Sequence, residues 1–146
     1  MNILILNGPN LNMLGQRDPE MYGRNTLEDV KSDLYKTGDC LRVRLSHFQS
    51  NAESEIIDYI QSHRDEMDGI IINAGALTHY GLSLRDALID ADLPIVEVHV
   101  SNIHARDEYR NHSIVADIAV GQIAGLGWKG YSFALSALVK HVETLQ

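Results

Sequence analysis

The stretch Asn2-Ile3-Leu4-Ile5-Leu6-Asn7, closed by Gly8-Pro9, decides the fold. Its apolar residues run without a break between two amides, too short for a helix face and without the alternation of a strand that has one wet side. A strand covered on both faces has that composition, and such strands build parallel sheets. Working outward, Asp68 to Asn73 (Asp-Gly-Ile-Ile-Ile-Asn) and Leu93 to His99 (Leu-Pro-Ile-Val-Glu-Val-His) repeat the pattern, and Leu41 to Leu45 and Ile118 to Ala124 are weaker versions. Together they predict five strands.

Helical stretches lie between them. Thr26, with Asp29 three residues on, reads as a capping box, and Leu27, Val30 and Leu34 follow at helical spacing until a stop before Gly38. Ser50 with Glu53 opens a second helix carrying Ile56, Ile57 and Ile60. Leu82 to Ile89 and Tyr131 to Val142 have helical spacing, and Arg106 to His112 is short enough for one turn. Strand alternating with helix predicts an α/β fold, a three-layer sandwich around a five-stranded parallel sheet. The sequence shows no repeat, linker or change of composition, so residues 1–146 are expected to form a single domain.

Composition narrows the function classes. Hydrophobic residues make up 45% and charged residues 22%, ordinary values for a folded globular chain. A formal net charge of -8 argues against bulk attraction to nucleic acid or anionic lipid and leaves a small molecule as the expected partner. The lone cysteine, Cys40, can form neither an internal disulfide nor a cysteine-based metal site. No apolar run reaches the roughly 18 residues of a membrane span, and the start of the chain lacks the basic residues and cleavage site of a signal peptide, so a cytoplasmic location is expected.

In open parallel sheets the ligand sits beyond the carboxyl ends of the strands, where strand order reverses. Asn7-Gly8-Pro9-Asn10-Leu11-Asn12 follows the first strand, Asn73-Ala74-Gly75-Ala76-Leu77-Thr78-His79 the third, and Glu97-Val98-His99-Val100-Ser101-Asn102 the fourth. Glu97 and His99 are two apart on a strand, so both point to one face, and a carboxylate beside an imidazole favours the protonated ring, as a general acid requires. Gly15 to Asn25 is a polar loop without periodicity, bracketed by Gly15 and Gly23, and reads as a lid. It contains Arg17 and Tyr22, and a guanidinium near a phenol stabilises the phenolate and makes it usable as a base.

Other patterns carry less. Gly125-Leu126-Gly127-Trp128-Lys129-Gly130 spells a dinucleotide fingerprint, but it ends the last strand instead of joining the first strand to its helix, with only 16 residues of chain remaining, so a tight turn before the final helix is expected. His79, His99 and His104 come from separate segments without the spacing of a zinc helix, and no metal site is expected. His47, His63 and His141 are placed on the surface, and Tyr35, Tyr59 and Tyr131 are read as packing residues.

Taken together, Asn7-Gly8-Pro9-Asn10-Leu11 with Leu14-Gly15 and Arg17, Tyr22-Gly23, Phe48-Gln49-Ser50-Asn51 with Glu53, Asn73 to His79, Leu84-Arg85-Asp86, and Glu97-Val98-His99-Val100-Ser101-Asn102-Ile103-His104-Ala105-Arg106 resemble the type II 3-dehydroquinate dehydratases over about Asn2 to Leu138. The resemblance implies a flavodoxin-like fold, a dodecamer built of trimers, and elimination of water from 3-dehydroquinate to give 3-dehydroshikimate through an enolate, in the shikimate pathway or in quinate breakdown, without metal or organic cofactor. It implies a catalytic set in which Tyr22 removes the proton beside the ketone, Arg17 supports its phenolate, Asn10 helps hold a water at the enolate oxygen, and His99, oriented by Glu97, protonates the departing hydroxyl. Asn73, His79 and Arg110 match binders of the ring hydroxyls, Ser101 and Asn102 the carboxylate site, and Asp86 a residue that reaches a neighbouring subunit. Either Tyr22 or a water activated by Asp86 is the immediate base. Ser54, and Gly81-Leu82-Ser83 before Leu84-Arg85-Asp86, depart from the family pattern. A non-catalytic flavodoxin-like module and a flavin or nucleotide protein are the competing classes. The convergence of polar groups at the strand ends speaks against the first, and the absence of a G-x-x-x-x-G-K-[ST] phosphate loop against the second.

Overall fold

The computed structural model describes every residue from Met1 to Gln146. Five strands, β1 (Asn2–Asn7), β2 (Arg44–Gln49), β3 (Gly69–Asn73), β4 (Ile95–His99) and β5 (Gly121–Ala124), form one sheet in the order β2-β1-β3-β4-β5. Every pairing is parallel. The helices are α1 (Pro19–Tyr22), α2 (Leu27–Leu41), α3 (Glu53–His63), α4 (Leu82–Ala91) and α5 (Gly130–Leu145). This is the flavodoxin-like strand order, whose reversal falls between β1 and β3.

The apolar strands are covered on both faces, as their composition requires. Ile3, Ile5, Ile71, Val96 and Val98 join Val30 and Leu34 of α2 and Leu135, Leu138 and Val142 of α5 in one core. Leu4, Leu6, Ile70, Ile72 and Ile95 join Ile56 and Ile60 of α3 and Leu84 and Leu88 of α4 in the other. Each such side chain taken fully out of water contributes about 1.5–3 kcal/mol. Parity along β4 therefore aims Ile95, Glu97 and His99 at the α3/α4 layer, and Glu97 is fully buried there.

Element boundaries differ from the sequence reading in instructive ways. The Thr26 and Asp29 capping box is present, but α2 runs through Gly38 and ends at Arg42, whose φ of 58° is left-handed. Gly38 is buried inside the helix, where a Cβ would stand 3.2 Å from the Leu45 side chain. The glycine serves close approach rather than termination, and the second strand consequently starts at Arg44 instead of Leu41. Ser50 does not begin α3. Its Oγ accepts from the Ala52 amide at 2.9 Å, while Glu53 Oε1 accepts from the Leu84 amide of α4 at 3.0 Å, a tertiary cap in place of a local one. β5 begins only at Gly121, because Ser113 Oγ accepts from the amides of Val115 and Ala116 and holds the preceding segment in turns. Arg106 to His112 contains only a 3-10 turn, at Glu108–Arg110. The polar loop is also more ordered than expected, since Asp18 caps the single turn of α1 through the Glu20 amide.

Within the Gly81-Leu82-Ser83 departure, Gly81 alone has a packing reason. Gly81 lies at the start of α4 with its amide 2.7 Å from the Leu77 carbonyl, and a Cβ there would approach that oxygen to 2.8 Å.

His47 corrects the surface assignment. It lies half-buried on β2 against Tyr35 of α2, ring centroids 5.0 Å apart, and neither ring nitrogen has a hydrogen-bond partner. Burial, reinforced by Lys31, pushes it down to about 4, below the 6.5 of a free histidine. The unfolded chain then binds the extra proton first, so stability is full above pH 6.5 and is lost as the pH falls towards 4. With screening at this half-exposed depth the loss is about 2 kcal/mol. Thermal melts at fixed protein concentration are expected to flatten over that window in His47→Phe. An unchanged slope would assign the acid sensitivity to other groups.

Candidate active site

At the strand reversal the loops after β1 and β3 pass so closely that only glycine fits. A Cβ on Gly8 would lie 2.3 Å from the Ala74 carbonyl oxygen, and one on Gly75, whose φ is 58°, 2.9 Å from that of Pro9. The Gly8 amide donates to the Asn73 carbonyl at 2.8 Å across this crossing. Asn10 then turns outward in the left-handed region, φ 69°, a conformation asparagine tolerates better than most residues. Beneath the crossing, Asn73 Nδ2 donates to the buried Tyr131 hydroxyl at 2.9 Å, which donates to Asn7 Oδ1 at 2.5 Å. Tyr131, read as a packing residue, thus orients the amides that end β1 and β3. Asn73 Oδ1 accepts from the Gly75 amide at 3.2 Å, which ties the floor to the loop above it.

Above this floor opens a cavity of about 70 Å³. Asn10 comes from the loop after β1, Asn73 and His79 from β3 and its loop, His99 and Ser101 from β4 and its loop, Arg17 and Tyr22 from the lid, and Arg106 and Arg110 from the segment beyond. No acidic residue lines it, whereas three arginines and two histidines do. A chain of net charge -8 therefore presents a locally cationic cavity, suited to an anion such as a carboxylate.

His99 sits at the cavity wall with Nε2 2.7 Å from Glu97 Oε1. The carboxylate can only accept, so Nε2 carries the proton and Nδ1 is the nitrogen left for a ligand. Glu97 is saturated. Thr78 Oγ1 donates to it, Ser113 Oγ lies 2.8 and 2.9 Å from its two oxygens, and Gln122 Nε2 donates to Oε2 at 2.7 Å. Burial opposes its charge and is the largest single effect. The hydrogen bond and charge of His99, with the hydroxyls of Thr78 and Ser113, outweigh burial and hold the carboxyl below its ordinary 4.5. Glu97 therefore stays ionised at neutral pH and faces the His99 ring as an acceptor.

Tyr22 is held from two sides. Arg17 lies over its ring, with Cζ 4.3 Å from the centroid, and Arg106 Nη2 donates to its hydroxyl at 2.9 Å and to Ser101 Oγ at 2.6 Å. The guanidinium at the oxygen is thus Arg106, while Arg17 acts across the π face. Nδ1 of His79 donates to the His112 carbonyl at 2.7 Å, which leaves Nε2 as an acceptor for a hydroxyl.

Of the residues expected from the sequence, the cavity gathers Asn10, Arg17, Tyr22, Asn73, His79, His99, Ser101 and Arg110, with Glu97 directly behind His99. Asn102 is outside the wall, its side chain accepting from the His104 amide at 3.1 Å. Asp86 is exposed on α4, away from this chain's own cavity. Arg106, Thr78, Ser113 and Gln122 were not singled out. Arg106 and Thr78 lie inside the family-like motifs, which give them no role, and Gln122 becomes visible only through the register that pairs it with Glu97. The three histidines considered for a metal each have their own partner, Glu97 for His99, Gln122 for His104 and the His112 carbonyl for His79. The glycines from Gly125 to Gly130 form a turn into α5, as expected.

Residues 1–139 match the family described as Dehydroquinase class II. The chain belongs to this family. A relative from Hydrogenovibrio crunogenus named 3-dehydroquinate dehydratase is 53% identical over 142 residues, covering 97% of this chain and 99% of the relative. Another of that name from Halothermothrix orenii is 49% identical over 141 residues, covering 97% of this chain and 95% of the relative. Among solved structures, type II dehydroquinase from Butyrivibrio crossotus superposes with a TM-score of 0.91 at 41% identity, covering 94% of this chain and 97% of that one. As a class II dehydroquinase, the chain carries the parallel sheet that its strand pattern predicted, in the flavodoxin-like order that the resemblance implied. No helix is long and apolar enough to cross a membrane.

Proposed function

We propose that this chain removes water from 3-dehydroquinate to give 3-dehydroshikimate, and that residues 1–146 act as one catalytic domain. The observation that carries the reading is the pairing, across one cationic cavity, of a phenol held by two arginines with an imidazole backed by a buried carboxylate. One is a base supported by positive charge, the other an acid supported by negative charge.

The substrate carboxylate binds among Ser101, the backbone beside Asn102, and the arginines, and the ring hydroxyls meet Asn73, His79 and Arg110. Tyr22, as phenolate, takes the proton beside the ketone, and the electron pair of that C–H bond moves onto the ketone oxygen as an enolate. Asn10 helps to hold a water that donates to this oxygen. The enolate then collapses, the bond to the leaving hydroxyl breaks, and the hydroxyl departs as water with a proton from Nδ1 of His99. Asp86, exposed on α4, serves a neighbouring subunit's cavity in a dodecamer, directly or through a water. The reading places the enzyme in the cytoplasm and in the shikimate pathway, with quinate breakdown as the other use of the same reaction.

The test is to mix the purified protein with 3-dehydroquinate and follow the ultraviolet absorbance of the conjugated enone. The absorbance is expected to rise, and the rate to survive both a chelator and borohydride. An imine route would need a lysine at the site, and Lys31, Lys36, Lys129 and Lys140 all lie outside the cavity wall. Inactivation by borohydride in the presence of substrate would replace the enolate by an imine. Ligand binding without turnover would make the protein a non-catalytic module.

A further inference from the structure

We infer that Gln122 and His104 form an outer arm of the active site, two positioning residues that set His99 through Glu97 without touching substrate. The inference rests on the proposed function in taking His99 as the acid. Neither residue lines the cavity. Gln122 lies on β5 directly across from Glu97 in register, so the two side chains stand together on one face of the sheet.

The orientation of the Gln122 amide is chemically determined. Glu97 Oε2 accepts from its Nε2 at 2.7 Å, which turns its Oε1 away from the carboxylate, towards His104 Nε2 at 2.7 Å. An amide oxygen can only accept, so His104 must present Nε2–H. Reversing the amide would set its oxygen against the carboxylate and would require His104 to take the tautomer in which Nε2 accepts. Glu97 thus sets the amide orientation, and His104 Nε2–H steadies it by holding the oxygen that it turns outward. The backbone that carries His104 is held in place, since Asn102 Oδ1 accepts from its amide at 3.1 Å. The chain of contacts His104, Gln122, Glu97, His99 runs from the exposed surface to the cavity wall through polar bonds at every step.

The arm has a chemical consequence. Oε1 of Glu97 takes the His99, Thr78 and Ser113 contacts, whereas Oε2 has only Ser113 and Gln122. Loss of the Gln122 donor leaves Oε2 with Ser113 alone in a buried place, and the carboxylate turns towards the donors that remain. The Oε1 to Nε2 bond that aims Nδ1 of His99 at the leaving hydroxyl turns with it.

The experiment compares Gln122→Met, His104→Leu, the double variant and His104→Gln, whose amide NH2 can replace the imidazole donor. A hydrogen bond to a charged group corresponds to about tenfold in rate. Gln122→Met is expected to lower kcat by about that factor with KM nearly unchanged, and His104→Leu by less. The double variant should match Gln122→Met alone, because both changes remove one function, and His104→Gln should restore wild-type kcat. The proton resonance of His99 Nε2–H, assigned by its loss in His99→Ala, should move in Gln122→Met and His104→Leu and return in His104→Gln. That signal is read whether or not the protein turns over, so it decides the arm even if 3-dehydroquinate is not the substrate. A multiplicative double variant, or a His99 resonance indifferent to both changes, would overturn the arm. Wild-type protein that yields no enone, or His99→Ala at wild-type rate, would instead overturn the proposed function.

Discussion

Tyr22→Phe is expected to lower kcat by about 10²–10⁴-fold, the loss that follows removal of a general base. The ring keeps its place, because Arg17 still lies over its face and the tyrosine's apolar part still packs on the α2/α5 core. Only the oxygen that Arg106 holds at 2.9 Å is missing. Arg106→Ala should lose a comparable factor by removing the charge at that oxygen, and Arg17→Ala a smaller one, since its charge acts through the π face. Tyr22→Phe combined with Arg106→Ala should fall well short of the product of the two, as both remove support for one phenolate. The decisive readout is exchange of the proton beside the ketone with solvent deuterium, which Tyr22→Phe should abolish. Exchange that persists in Tyr22→Phe would hand the base role to a water, with Asp86 the group to test next.

His99→Ala should produce the complementary defect. Turnover is expected to fall by about 10²–10⁴-fold, because the hydroxyl must leave without a proton donor, while Tyr22 continues to exchange the proton beside the ketone as long as the enolate reverts before water leaves. Glu97 loses its charged partner in this variant but keeps Thr78, Ser113 and Gln122, so the fold should survive at a cost of at most about 3 kcal/mol. A melt run beside the kinetics separates the two effects. Loss of exchange and turnover together in His99→Ala, with exchange retained in Tyr22→Phe, would reverse the assignment of acid and base.

The sequence was most legible where one physical rule acted alone. Buried parallel strands leave continuous apolar runs, so β1 and β3 could be read almost to their ends, and the Thr26 capping box marked the start of α2 to the residue. It misled where a residue answers to a neighbour distant in sequence. Gly38 has the form of a helix stop but exists for Leu45, and Glu53 has the form of a local cap but bonds to Leu84. The imidazole of His47 looks like a surface group because polarity is a property of the residue, whereas burial is a property of the packing around it.

The same division runs through the site. By itself the sequence determined which chemical groups stand at the strand ends, because strand parity puts Glu97 and His99 on one face and the parallel sheet collects the loops after β1, β3 and β4 at one end. Only the tertiary structure decided the partners. It brought Arg106 rather than Arg17 to the Tyr22 oxygen, closed Thr78, Ser113 and Gln122 around Glu97, and placed the Tyr131 hydroxyl between Asn7 and Asn73. The reason is physical. A strand's face follows from a period of two that any sequence displays, but a hydrogen bond needs two atoms within about 3 Å, and for residues far apart along the chain that distance is set by register and helix packing.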